Sequence, residues 1–175
     1  MDFPLFVYGT LKRGFPAHAR WCAGAEVSPA SCRGQLLLHE DGYPVLVIEP
    51  DDILAIGSVD PNHDARLACQ VLESEFPCVD ATAEPVVLRR IDRRDPQDVG
   101  GELLRFSLGS VPLAEIDDYE GFEPGKPSRF VRVLTRVVPL AGGPPVCAWT
   151  YVGGTRLKRE SLRQSEGADW PAIGG

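Results

Sequence analysis

No Cys-x-x-Cys pair occurs among the five cysteines, which stand at positions 22, 32, 69, 78 and 147. Neither a zinc ribbon nor a thioredoxin-type redox site is therefore indicated. An odd, unpaired set of thiols reads most economically as reduced cysteines of a cytoplasmic protein. A nucleophilic Cys147 beside one of the three histidines is the chemical alternative to a buried structural thiol. His18, His39 and His63 are scattered without ligand spacing, so no metal is expected. The chain also lacks a P-loop, a Gly-x-Gly-x-x-Gly turn and any serine in a Gly-x-Ser-x-Gly setting, which leaves no cofactor or nucleophile motif to build on. Positive charge is in short supply: 18 Lys and Arg against 25 Asp and Glu give a formal charge of −7 and a pI near 5.0. That balance argues against a nucleic-acid partner. The most basic stretch, residues 156–163, contains Glu160 and reads as a solvated helix or tail. No apolar run approaches the roughly 18 residues that span a bilayer, and the Met-Asp-Phe-Pro-Leu start has neither the basic region nor the apolar run of a signal peptide.

What the chain does have is turns. Eighteen glycines and sixteen prolines in 175 residues favour short strands over a helical bundle. Residues 3–8 form an apolar, β-rich run closed by Gly9. Residues 35–39 and 43–48 flank Glu40-Asp41-Gly42, a hairpin signal. Further strands are expected over 85–91, 102–108, 130–138 and 146–152. In the third of these, Val131, Val133 and Val137 face one way and Phe130, Arg132 and Arg136 the other. Two helices are expected. One covers 62–75 with Asn62 as cap and an apolar face at Leu67, Val71 and Leu72; the other covers 112–120, opening on Pro112 and stopping at Gly121. Many short strands with few helices predict an α+β fold built on a small, mixed, partly closed β-barrel with flanking helices. Residues 1–155 read as a single domain with an insertion at about 50–98, and 156–175 as a C-terminal tail.

Two segments could carry chemistry. Tyr8-Gly9-Thr10-Leu11-Lys12-Arg13-Gly14 follows the opening strand, and a glycine there leaves successive N–H groups unobstructed, a nest suited to an anion or a developing oxyanion. An ordinary strand-to-loop turn would look the same. In the second segment, Leu113, Ile116 and Glu120 are spaced by three and four and share one helical face. Glu120 then extends an apolar stripe inward, with Asp117 and Asp118 elsewhere or at its edge. Burial, the helix C-terminus and nearby aspartates all favour its protonated form, which suits a general acid/base. The alternative is a glutamate reaching solvent or pairing with Arg132. Trp149 and Tyr151 share a face of the last strand as core, although Tyr151 could turn its hydroxyl into a cavity.

In order along the chain, these pieces resemble the gamma-glutamylcyclotransferase-like superfamily. The series is Tyr8-Gly9-Thr10-Leu11, Gly34-Gln35-Leu36, Gly42-Tyr43-Pro44, Val99-Gly100-Gly101-Glu102-Leu103, Asp117-Asp118-Tyr119-Glu120-Gly121, Phe130-Val131-Arg132 and Trp149 to Val152. Each motif is weak and their order is specific; together they cover about residues 3–48 and 99–153. The opening Tyr8 to Gly14 segment resembles the branch acting on gamma-glutamyl amines more than the glutathione-specific branch.

The resemblance implies a cyclotransferase or lyase acting on a small gamma-glutamyl amine or dipeptide, without metal or cofactor. The substrate supplies its own nucleophile, the α-amine, and orientation alone can contribute on the order of 7–11 kcal/mol in well-aligned intramolecular cases. Glu120 would be the catalytic acid/base. Gly9, Thr10 and Leu11 would hold the substrate through backbone N–H groups, Tyr8 would shape the pocket, and 5-oxoproline and a free amine would leave. Two departures stand out. Residues 49–99 are longer than compact members need and could form a lid, narrow the substrate range or make a homodimer contact. Residues 123–127 also lengthen the loop after Glu120. A non-catalytic small-molecule-binding or protein-interaction module on the same barrel is the rival reading, which the retention of both Glu120 and the Tyr8 to Leu11 loop disfavours.

Overall fold

The computed structural model describes residues 2–73, 87–88 and 96–171. Strand β1 (Asp2–Val7) is apolar at every position after Asp2 and is buried on both faces, as a central barrel strand must be. It pairs antiparallel with β5 (Gln97–Ser107) and parallel with β7 (Val146–Gly153). β7 runs antiparallel to β6 (Phe130–Pro139), and β5 runs antiparallel to β2 (Glu26–His39). A final pairing of Ala30–Cys32 with Val137–Pro139 joins β2 to β6 and closes a five-stranded mixed barrel. The expected small α+β barrel is therefore what the chain forms.

β2 is long enough to serve two partners. Its first part belongs to the barrel, while its last residues pair with β3 (Pro44–Val47) across the predicted Asp41-Gly42 turn and with β8 (Leu162–Gln164) on the other side. Two-residue β4 (Ala55–Ile56) extends the sheet beyond β6. The segment expected as a tail thus includes a strand, and Trp170 stacks on Phe15 at 5.3 Å.

Among the described residues, three α-helices flank the barrel: α1 (Pro16–Trp21), α2 (Pro61–Glu73) and α3 (Leu113–Glu120). α2 begins one residue earlier than the sequence suggests, because Asp60 and not Asn62 caps it: the Asn62 N–H donates to the Asp60 carboxylate at 2.9 Å. Its buried positions are Asp64, Ala65 and Ala68. Leu67 is only half-buried, and the side chains of Val71 and Leu72 lie outside the described residues. Small alanines bring the helix close to the barrel, where the Asp64 carbonyl accepts from the Trp149 indole N–H at 3.1 Å. The strand expected over 85–91 also lies outside the described residues, apart from Val87, which bridges to Gly154, and Leu88, whose N–H donates to the Gly153 carbonyl at 2.7 Å.

β6 departs from the expected alternation. Both of its faces are buried from Phe130 through Thr135, and Arg132 is completely enclosed. Arg132 points to acids carried by α2 and α3. A guanidinium can remain there only with compensation. Asp64 accepts from Arg132 Nη2 at 2.9 Å, Asp117 lies 3.2 Å from Nη1, and the rings of Phe122 and Trp149 flank the group at 5.4 and 5.6 Å.

Candidate active site

The four residues of the Tyr8 to Leu11 segment and Glu120 line one cavity of about 220 Å³, together with Tyr43, Pro44, Tyr119, Arg129 and Tyr151. Five positions predicted from sequence therefore converge although they come from opposite ends of the fold. The reason is topological: the loop leaves the C-terminal end of β1, and α3 runs from β5, the neighbour of β1, to that same end.

Backbone geometry shapes the loop. The Lys12 N–H donates to the Gly9 carbonyl at 3.0 Å, folding the chain back on itself. Among the described residues, the N–H groups of Gly9, Thr10 and Leu11 meet no protein acceptor, so they are free to hold an anion. A Cβ at Gly9 would sit 2.9 Å from the Pro44 ring, and any larger residue would press on the cavity wall. Three side chains fix the loop from outside. His18 Nδ1 lies 2.8 Å from the Leu11 carbonyl, Thr10 Oγ1 meets the Tyr119 hydroxyl at 2.9 Å, and the Glu102 carboxylate accepts from the Arg13 N–H at 2.7 Å and its Nε at 3.1 Å. Glu102 is the glutamate of the Gly-Glu-Leu motif. Its part in holding the loop was invisible in the sequence, because nothing there links it to Arg13.

Tyr8 is buried, and its hydroxyl is fully used, donating to the Tyr151 carbonyl at 2.7 Å and accepting from the Leu46 N–H at 3.1 Å. Burial and the charge of Glu120 hold its pKa well above the ordinary phenol value. It is a neutral wall, not a proton carrier. Tyr151 also contributes its ring to the cavity, while its hydroxyl donates to Asp117 at 2.6 Å instead of pointing inward.

α3 ends at Gly121, whose φ of 71° is the left-handed turn that glycine accepts without strain. Leu113 and Ile116 are buried, as the helical spacing requires. Asp117 is not at the edge, however: it joins the same stripe and faces Arg132. Positions 113, 116, 117 and 120 form a complete i, i+3, i+4, i+7 face, a signal the two carboxylates had obscured. The alternative pairing of Glu120 with Arg132 does not occur, since Asp64 and Asp117 already occupy that guanidinium.

Glu120 keeps some exposure through the cavity mouth, yet enough protein surrounds its carboxyl that desolvation pushes the pKa up to about 7. Arg129 opposes the shift and Asp117 adds to it. Arg129 stands at the helix C-terminus, donating to the carbonyls of Tyr119 at 2.9 Å and Glu120 at 3.4 Å, where a cation offsets the dipole. Among the described residues, no donor occupies the Glu120 carboxylate. A carboxyl with its pKa raised to about 7, open to a cavity that free amides also line, can accept and return a proton near neutral pH.

The other chemical candidates do not assemble. Cys147 is buried, burial raises its pKa, and among the described residues no histidine bonds to it. Burial pushes Cys22 and Cys32 up to about 12. Among the described residues, no three His, Cys, Asp or Glu side chains gather as a metal-holding group.

A closed mixed barrel thus carries one cavity lined by both Glu120 and the glycine loop. The sequence matches the family described as gamma-glutamyl cyclotransferase, AIG2-like, over residues 5–68 and 57–172, and the chain belongs to that family. Membership supports a cyclotransferase-type function in the broad sense. Among solved structures, the fold is similar to an AIG2-like protein from Mus musculus, with 18% identity and a TM-score of 0.56 over 99% of this chain and 90% of that one. It is also similar to YkqA from Bacillus subtilis, with 16% identity and a TM-score of 0.52, covering 97% of this chain but 40% of the other. No curated protein sequence matches significantly. No helix among the described residues is long and apolar enough to cross a membrane.

Proposed function

We propose that this chain cyclises gamma-glutamyl compounds, releasing 5-oxoproline and a free amine, with Glu120 carrying the protons. The observation that supports this reading most directly is the unoccupied carboxyl of Glu120, with a pKa near 7, in the same cavity as the free amides of residues 9–11. The α-carboxylate of the substrate sits on those amides, or they receive the side-chain carbonyl oxygen as it gains charge. Glu120 takes a proton from the α-ammonium, and the freed amine bonds to the side-chain carbonyl carbon. The C–N bond to the leaving amine then breaks. Two protons pass in turn from the attacking nitrogen through Glu120 to the departing one, so the amine leaves as an ammonium ion and no water is consumed. Tyr8 and Tyr151 keep the cavity wall apolar, which folds the substrate toward ring closure.

Incubation of the purified protein with a panel of gamma-glutamyl amines and dipeptides tests this. Stoichiometric 5-oxoproline and amine are expected. Glutamate as the product would mean hydrolysis, and ligand binding without turnover across the panel would favour a binding module.

A further inference from the structure

Beside the reactive cavity lies a second concavity of about 530 Å³, and the two share Tyr43 and Arg129 as a common wall. Arg156 and Lys158 also line it. These belong to the basic stretch that the proposed function leaves unused. Their backbone is anchored: Arg156 N–H donates to Ser128, Leu157 N–H donates to Gly154, and the Leu157 side chain is buried between them. Both side chains are exposed, and among the described residues neither is engaged by a carboxylate. The one acid in the lining, Glu40, already accepts from the Ser161 hydroxyl at 2.7 Å. His39 stacks on Tyr43 at 4.4 Å, and Asp41 lies 3.4 Å from its ring nitrogen. Three cations against one engaged acid is the reverse of the whole chain, whose acids outnumber its bases by 25 to 18. The positive charge is therefore local to this groove and not a general property of the surface.

We propose that the groove receives the leaving group and selects gamma-glutamyl substrates whose departing amine carries more than one negative charge, such as an acidic amino acid or acidic peptide. This rests on the cyclotransferase reading, and it answers the question which that reading leaves open. The scissile bond lies at Glu120, so a departing group larger than a simple amine extends past Arg129 into the groove. A single carboxylate can be met at Arg129, whereas a second is needed to use Arg156 and Lys158 in the groove. Alkyl amines and polyamines would bring positive or no charge to the same cations and gain nothing.

The test compares gamma-glutamyl-glutamate with gamma-glutamyl-glutamine, which differ by one charge at nearly constant shape. The acidic substrate should have a kcat/KM about 3- to 10-fold higher at low salt, as expected for exposed charge contacts, and the ratio should shrink toward one as ionic strength rises. In an R156A/K158A double variant, the ratio should fall to about one at all salt concentrations. A wild-type ratio near one, or a ratio unchanged in the double variant, overturns the proposal while leaving the cyclotransferase reading intact. No 5-oxoproline from either substrate contradicts that reading and the subsite with it.

Discussion

Glu120 owes its chemistry to a balance among three neighbours. Desolvation by the cavity wall raises its pKa, Asp117 one turn earlier raises it further, and Arg129 at the helix end pulls it back. The sign for catalysis follows. Glu120 must begin as the carboxylate, so kcat/KM should climb about tenfold per pH unit below pH 7 and flatten above it. Asp117 is itself pushed up to about 6, chiefly by burial against the pull of Arg132. Asp117→Asn removes the repulsion and leaves Arg132 less neutralised. Both changes favour ionised Glu120, so the acid limb of the pH–rate profile should move to lower pH by up to about one unit. A limb that stays in place would show that Asp117 only packs.

At the scale of elements, the loop after β1 works because α1, α3 and β5 each hold one of its residues. Glu102→Ala should free the Arg13 end and raise KM roughly 2- to 10-fold with a smaller change in kcat, since the carboxylate is largely shielded while Arg13 is not. Steady-state kinetics decide this, and an equal fall in kcat at unchanged KM would contradict it. The same elements mark what a sequence can reveal. Signals that act within a few residues were legible: Gly121 ending α3, Asp41-Gly42 turning the hairpin, and the spacing that turned Glu120 inward. Asp60 capping α2 was nearly legible and lost to Asn62, an equally good cap residue two positions on. The enclosure of Arg132 was not legible, because its partner Asp64 is 68 positions away and the alternation of β6 suits a half-exposed strand equally well. Glu102 was visible as part of a motif, but its partner Arg13 becomes a neighbour only once β1 and β5 pair.

Across the whole molecule, the Asp64–Arg132–Asp117 cluster ties α2 and α3 to the barrel and lies directly behind the wall that carries Tyr151 and Glu120. Removing the cation strands two buried acids, so Arg132→Ala should cost about 3–5 kcal/mol in denaturant unfolding. A loss below about 1 kcal/mol would mean that the acids simply take up protons and the cluster is dispensable. Glu120 carries the opposite sign. Its pKa in the fold exceeds the ordinary value of 4.5, so the folded state loses stability as pH rises from about 4.5 to about 7, and a neutral replacement escapes that loss. Glu120→Gln therefore provides the most direct measurement: 5-oxoproline release at pH 8 alongside thermal melting at pH 4 and pH 8. The expected result is a fall in kcat of at least about 100-fold, with a higher melting temperature than wild type at pH 8 and equal melting at pH 4. Turnover comparable to wild type in a folded Glu120→Gln protein would contradict the assignment of Glu120 as the proton carrier.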